Sequence, residues 1–241
     1  KALVALGNAE FLWGGSASNV FCDEWNSMFT DTGYHGAGGW EVKCDPHGMV
    51  TDLRVDFPDS YFEFGEAGVV REAITAFSAL QTLNLGLIGY AGNLEFISLF
   101  STKLQHVDLR FSGFNGSIPE SIGNATSLTY LDLSYLAVSG SLPSSISRLT
   151  ALQFLDVSFN QLNGSLPDSI TRLASLQHLG LGFTNLSGPI PARLGRLISL
   201  TSLNVSGTGL TCPAEGSKCV VQQRNTTSFC HLCSPFCSSC T

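Results

Sequence analysis

The sequence predicts an α/β solenoid: a right-handed superhelix of 24-residue turns with a concave parallel β-sheet, a convex 3₁₀ or helical side, and disulfide-stapled caps. Three observations predict it. The first is an apolar comb. Leu80, Leu104, Leu128, Leu152, Leu176 and Leu200 each open the phrase apolar-x-x-apolar-x-apolar. The second tooth is Leu83, Val107, Leu131, Leu155, Leu179 and Leu203, and the third is Leu85, Leu109, Leu133, Val157, Leu181 and Val205. A fixed period of this length means stacked units that bury their apolar faces only against one another.

The second observation fills in the rest of each unit. Gly116, Gly140, Gly164 and Gly188 share a column where the chain must turn. Two residues on come Ile118, Leu142, Leu166 and Ile190, followed directly by Pro119, Pro143, Pro167 and Pro191. Ile122, Ile146, Ile170 and Leu194 follow at about one helical turn. Each unit therefore reads as a concave strand, a turn and a short convex helical or 3₁₀ segment, and the stacked strands form a parallel sheet of about seven.

The third observation is the placement of the cysteines. All eight lie outside the regular units: Cys22 and Cys44 before them, and Cys212, Cys219, Cys230, Cys233, Cys237 and Cys240 after them. An even count confined to the two ends reads as disulfide-stapled caps in an oxidising, extracellular setting. Six N-x-[ST] sequons agree with secretion, at Asn115, Asn124, Asn163, Asn185, Asn204 and Asn225.

Taken in order, residues 1–49 form the N-terminal cap. The segment 1–20 suits a short amphipathic helix with Leu3, Val4, Leu6, Phe11 and Leu12 on one face, and Trp25 and Trp40 pack near Cys22 and Cys44. Residues 50–211 are the repeats. Val50, Leu53 and Val55 make the first strand, an irregular unit with an acidic, aromatic insertion at 56–77 completes 50–79, and the regular units start at 80. Residues 212–241 are a cysteine-rich cap and tail. The chain begins at Lys1, as a processed mature form or an excised ectodomain would, and no apolar stretch is long enough to span a bilayer. The net charge of −7 and the lack of a basic run argue against nucleic acid or an anionic membrane as partner.

The unit LQFLDVSFNQLNGSLPDSITRLASL at 152–176 resembles the plant-type leucine-rich repeat, L-x-x-L-x-L-x-x-N-x-L-x-G-x-[IL]-P-x-x-[IL]. The resemblance covers roughly 80–211. WEVKC at 40–44 followed by GMVTDLRV resembles the family's N-terminal cap, and Cys212 and Cys219 resemble its C-terminal cap pair, which implies the pairings Cys22–Cys44 and Cys212–Cys219. The last four cysteines then allow three connectivities; their two C-x-x-C pairs could also hold zinc, but an oxidising compartment favours disulfides. Such domains occur in receptor-kinase ectodomains and polygalacturonase-inhibiting proteins, and the motif is specific for fold while nearly silent on ligand.

The chain also departs from the family pattern. The asparagine that normally bonds the backbone between strands survives only at Asn160; Ile88, Ser112, Leu136, Thr184 and Thr208 stand at the equivalent positions. Ser and Thr can still donate, whereas Leu136 and Ile88 cannot, so a looser ladder is expected toward the N-terminus.

Side chains between the teeth point to the concave face, where the resemblance implies binding. One column there holds Leu87, Phe111, Tyr135, Phe159 and Phe183; another holds Thr82, His106, Tyr130, Phe154, His178 and Ser202. At about 4.8 Å per strand the rings form contiguous stripes. Aromatic faces bind sugars and anchor peptides, and the competing reading is that the rings only pack on each other. Asp108, Asp132 and Asp156 stand between the stripes, with Asn84, Gly180 and Asn204 in register and Arg110 near enough to neutralise part of the charge. Three such carboxylates could bind a cation, or each could serve the backbone of its own turn. Glycoside hydrolysis by the paired carboxylates lacks cleft-forming loops. His106 and His178, about 14 Å apart at this spacing, cannot share a metal or act as a catalytic pair. No Ser-His-Asp order is apparent from separate strands. Asn204 is a sequon on a strand of the concave face, and a glycan there would push binding toward 104–183.

The sequence thus predicts a secreted, non-enzymatic glycoprotein, at the cell surface or wall, without cofactor or metal. It would bind a protein, peptide or polysaccharide through His106, Arg110, Phe111, Tyr130, Tyr135, Phe154, Phe159, His178 and Phe183. The alternative is a self-assembling component of an extracellular matrix or glycoprotein filament, since solenoids have open ends.

Overall fold

From Thr82 to Arg196 each turn of the chain forms two short strands and one 3₁₀ segment. The computed structural model describes residues 39–56, 79–86, 91–100 and 103–211. The helix expected over 1–20, Trp25, the insertion after Asp56, Leu87, Ile88, Asn225 and every cysteine except Cys44 lie outside these residues.

The first sheet has eight strands: β1 (Gly39–Cys44), β2 (Val50–Asp56), β3 (Thr82–Asn84), β5 (His106–Asp108), β7 (Tyr130–Asp132), β9 (Phe154–Asp156), β11 (His178–Gly180) and β13 (Ser202–Asn204). β1 pairs antiparallel with β2, while β2 onward is parallel. The WEVKC segment is therefore a strand that covers the N-terminal edge of the sheet. That leaves seven parallel strands, the number the comb predicts.

All eighteen comb residues are at most 3% exposed. Burying each leucine is worth about 1.5–3 kcal/mol. Between the comb and the convex side the chain adds a feature that the sequence pattern does not announce, a second, six-stranded parallel sheet. Its strands are β4 (Ala91–Asn93), β6 (Gly113–Ser117), β8 (Ala137–Gly140), β10 (Gln161–Gly164), β12 (Asn185–Pro189) and β14 (Gly209–Thr211). Phe114, Val138, Leu162, Leu186 and Leu210 point inward from it and are buried. Short runs around a glycine read as a turn in sequence; hydrogen bonds from neighbouring turns make them strands. The glycines close these strands with positive φ, +83° at Gly116 and +87° at Gly188.

The prolines then open the convex segments. Pro119, Pro143 and Pro167 cap 3₁₀ segments at Glu120–Asn124, Ser144–Arg148 and Asp168–Arg172, and Pro191 caps Ala192–Arg196. Segments this short tighten into 3₁₀ rather than α turns. Ile122, Ile146, Ile170 and Leu194 anchor them in the core.

The two sheets differ in register. In the first, partners stand one full repeat apart: His106 with Tyr130, Tyr130 with Phe154, Phe154 with His178 and His178 with Ser202. In the second they fall short of a full repeat, as Asn163 with Asn185. Columns of the repeat thus run straight across the concave sheet and diagonally across the second. Of the two sheets, only the concave one can stack like upon like.

The asparagine ladder departs from expectation in kind. Asn160 Nδ2 donates to Leu133 O (2.7 Å) in the preceding turn and to Val157 O (3.0 Å), while its Oδ1 accepts from Val138 N (3.0 Å). Thr184 and Thr208 hydroxyls donate only within their own turn, to Leu181 O and Val205 O at 2.7 Å, and Ser112 does the same to Leu109 O. At this position the hydroxyl turns back to its own strand and does not bond to the neighbouring turn. Asn160 is consequently the single cross-turn side chain of this column among the described residues, and the weakening extends to both ends.

Candidate functional site

The concave face is built by a four-residue device repeated once per turn. In the parallel strands of the concave sheet from β3 onward the third residue is Asp or Asn, except in β11, where Gly180 stands, and its side-chain oxygen accepts from the backbone N–H two residues on. Asp108 Oδ1 takes Arg110 N (3.2 Å), Asp132 Oδ1 takes Ser134 N (2.9 Å), Asp156 Oδ1 takes Ser158 N (2.8 Å), and Asn204 Oδ1 takes Ser206 N (3.0 Å). The carboxylates therefore serve the backbone of their own turns, and among the described residues no acidic or imidazole cluster is placed to hold a metal.

Three residues after that strand position the backbone is left-handed, at Gly207 in the last turn and at an aromatic residue in the four turns before it. Phe111, Tyr135, Phe159 and Phe183 have φ of 56°, 55°, 57° and 54°. A left-handed non-glycine costs about 1–2 kcal/mol. Each is held there because its N–H donates to the next turn: Tyr135 N to Ser158 O (3.0 Å), Phe159 N to Gly182 O (2.8 Å), Phe183 N to Ser206 O (2.7 Å). The twist throws the ring outward, leaving these four 37–51% exposed.

Both predicted ring columns come together as continuous stacks. Phe111, Tyr135, Phe159 and Phe183 stack with centroids 4.0–4.5 Å apart. His106, Tyr130, Phe154 and His178 stack at 4.1–4.4 Å. Interplanar angles across both are 8–19°. Inner rings have both faces covered and turn their edges to solvent. Phe183 ends its stack against Gly207, where a Cβ would lie 2.8 Å from the ring. The inner ring faces cover one another, which is the packing that the competing reading expects.

Under the rings the face is quiet electrostatically. Asp108 and Asp132 are buried, and Arg110 Nε sits 3.3 Å from Asp108 Oδ2. Burial pushes the Asp108 carboxyl up despite that arginine. Burial, then the charge of Arg54, holds His106 below its usual value. The Tyr130 phenol is pushed up to about 12 by burial and the Asp132 charge. Burial also pushes Asp156 up, but the nearby His178 imidazole and the hydrogen bonds from Ser158 outweigh it and leave its carboxyl below the usual range.

One grouping was not apparent from sequence. Ser202 Oγ lies 3.0 Å from His178 Nδ1, and the buried His178 Nε2 lies 3.5 Å from Asp156 Oδ2. Gly180 makes room for this, since a Cβ there would overlap the Asp156 carboxylate. The contacts resemble a Ser-His-Asp relay, yet the His–Asp separation is too long for a strong hydrogen bond. The nearby N–H groups of Thr201 and Ser202 are both taken by Gln177 O, so neither is free to serve as an oxyanion donor. The group orders the C-terminal end of the His106 stack.

A groove runs beside that stack, lined by Thr129, Gln153, Gln177, Thr201 and Ser202 together with the rings. Sequence reading missed the column Gln105, Thr129, Gln153, Gln177, Thr201, because it stands just before the strand. Its signal was the same period as the comb's.

Away from this face, the sequons Asn115, Asn163 and Asn185 are exposed on the second sheet and Asn124 on the convex side. Asn204 is half-buried, its Nδ2 close above Gly182.

The leucine-rich repeat region model matches residues 60–232. No curated protein sequence matches the chain. Among solved structures, the Arabidopsis thaliana receptor-kinase ectodomain GASSHO1/SCHENGEN3, in complex with CASPARIAN STRIP INTEGRITY FACTOR 2, is 31% identical with a TM-score of 0.56, covering 58% of this chain and 17% of that one. The Arabidopsis receptor kinase HAESA, with the peptide hormone IDA and the co-receptor SERK1, is 25% identical with a TM-score of 0.59, over 73% and 29%. A plant ice-binding protein is 25% identical with a TM-score of 0.61, over 71% and 53%. The chain thus spans less than a third of either receptor structure and about half of the ice-binding one. With a family model matching more than two thirds of its length, and its comb, glycine and proline columns all in place, the chain belongs to the leucine-rich repeat family.

Proposed function

We propose that the chain is a secreted, non-enzymatic recognition module that binds an extended peptide or protein segment along its concave face. The observation that carries this reading is the Phe111–Tyr135–Phe159–Phe183 stack, four exposed rings in a backbone conformation that works against stability. Strain repeated in consecutive turns and coupled to exposed apolar surface marks a partner site. Ring edges carry positive charge density and suit carbonyl oxygens. That favours polypeptide over a sugar ring needing an open face. The binding set is His106, Arg110, Phe111, Tyr130, Tyr135, Phe154, Phe159, His178 and Phe183. The complex of the receptor kinase HAESA with the peptide hormone IDA supports the reading. Among the described residues, sequons on the second sheet and convex side would keep glycans clear of the site; the exception, Asn204, packs its amide over Gly182, which supports its being unmodified.

The alternative of self-assembly draws on the N-terminal segment and the cysteine-rich tail, which lie outside the described residues. The test is selection from a displayed peptide library on the wild-type chain, followed by titration of the selected peptides against Tyr135→Ala and Phe159→Ala. Loss of binding in both folded variants is expected. Peptides that bind them as tightly as wild type, or a selection that yields none, would overturn the reading.

A further inference from the structure

The sequence has no run of basic residues, but the fold makes a row of them. Arg148, Arg172 and Arg196 each end a convex 3₁₀ segment, Ser144–Arg148, Asp168–Arg172 and Ala192–Arg196, and so stand one repeat apart in a single column. Arg193 stands beside the last. All four are exposed, and among the described residues none of them makes an ion pair. Their backbones are fixed: Leu149, Leu173 and Leu197, the next residue in each turn, are buried.

The acids that could quench this row are few. Glu120 Oε2 is engaged by Ser145 N at 3.2 Å, and Asp168 stands at the opposite end of its segment from Arg172. From 169 to 214 the chain contains Arg172, Arg193 and Arg196 and no acidic residue, in a protein whose net charge is −7. A role limited to complementing the 3₁₀ termini does not account for it. Glu120–Asn124 ends on Asn124 at the same position, with no basic residue, and forms equally well.

We propose that this convex arginine row binds a linear acidic polysaccharide, a chain of carboxylated or sulfated sugars. Guanidinium groups bind carboxylate and sulfate through paired N–H donors. A single file of cations along a ridge that curves outward matches a flexible linear polyanion. A flat anionic membrane would meet only part of such a ridge. The site lies on the opposite side of the solenoid from the ring stacks, so the two could be occupied together. Partner charge is read locally, and the acidic residues concentrate in the N-terminal third.

The test titrates the full chain with polygalacturonate, dextran sulfate and neutral dextran at low and high salt. Saturable, salt-sensitive binding to at least one polyanion and none to dextran is expected. The triple substitution Arg148→Gln, Arg172→Gln, Arg196→Gln should weaken it about tenfold, with Lys103→Gln as control. A thermal melt shows whether the triple variant is folded, and the corresponding triple Lys variant, which keeps the charge, should retain more binding than the Gln one. Unchanged binding in the folded Gln variant would overturn the proposal. So would failure of the wild type to bind either polyanion, or binding to phosphatidylserine-containing vesicles but to neither polyanion.

Discussion

Gly180 lies directly beneath the Asp156 carboxylate, and a methyl group on Gly180 would occupy the carboxylate's place. This explains why the Asp108–Asp132–Asp156 column stops at a glycine. Asp156 leans across to the next strand, accepts from Ser158 N and approaches His178.

Gly180→Ala should therefore displace Asp156 and cost about 1–3 kcal/mol in chemical denaturation. Gly182→Ala, which meets the more movable amide of Asn204, should cost less. Equal costs would show that the Asp156 side chain relocates freely.

The ring stacks set stability against recognition. Phe159 stacks on Tyr135 and Phe183 at 4.0 and 4.5 Å while holding φ at 57°. Phe159→Gly loses the rings' contact but releases the strained backbone. It should therefore be about 1 kcal/mol more stable than Phe159→Ala by denaturant titration. Both variants should lose the concave ligand. If alanine proved the more stable of the two, the left-handed backbone would carry no strain.

Asn160 links two turns through Leu133 O and Val138 N. Asn160→Ala leaves those buried groups unpaired and should cost about 2–4 kcal/mol. Asn160→Thr should recover part of it, because a hydroxyl there can donate to Val157 O as Thr184 does to Leu181 O. Thr184→Ala should cost about 1 kcal/mol. Urea midpoints of the three variants check the order.

Acid should loosen the N-terminal end of the His106 stack. Burial and Arg54 hold His106 below 6.5 in the folded chain. The unfolded chain therefore takes up this proton first, so its contribution is present above pH 6.5 and is lost as pH falls through the lowered folded value. The melting temperature of His106→Phe should drop less than that of wild type between about pH 7 and about pH 5. Parallel curves for the two proteins would remove His106 as the cause.

Much of the fold was legible in the chain because a solenoid writes the same local problem once per turn. A tooth such as Leu131 is apolar for one reason only, burial against its own turn and the next, and so the comb needs no long-range information. The glycine and proline columns are equally local, set by φ at Gly116 and by ring closure at Pro119. The second sheet was not legible. Segments such as Gln161–Gly164 have no strand pattern of their own and become strands only when neighbours supply hydrogen bonds.

For the candidate site, the period alone is enough to place Phe111 to Phe183 and His106 to His178 in columns, because it equals the register of the concave sheet. What those columns present is settled by the folded coil. Left-handed backbone at Tyr135 and Phe159 throws the rings out, and stacking closes their faces and leaves the edges. The coil likewise turns arginines one repeat apart into a single convex row. Spacing along a chain fixes which residues align, but the direction of a side chain and the charge around it depend on backbone twist and on turns that the coil brings together.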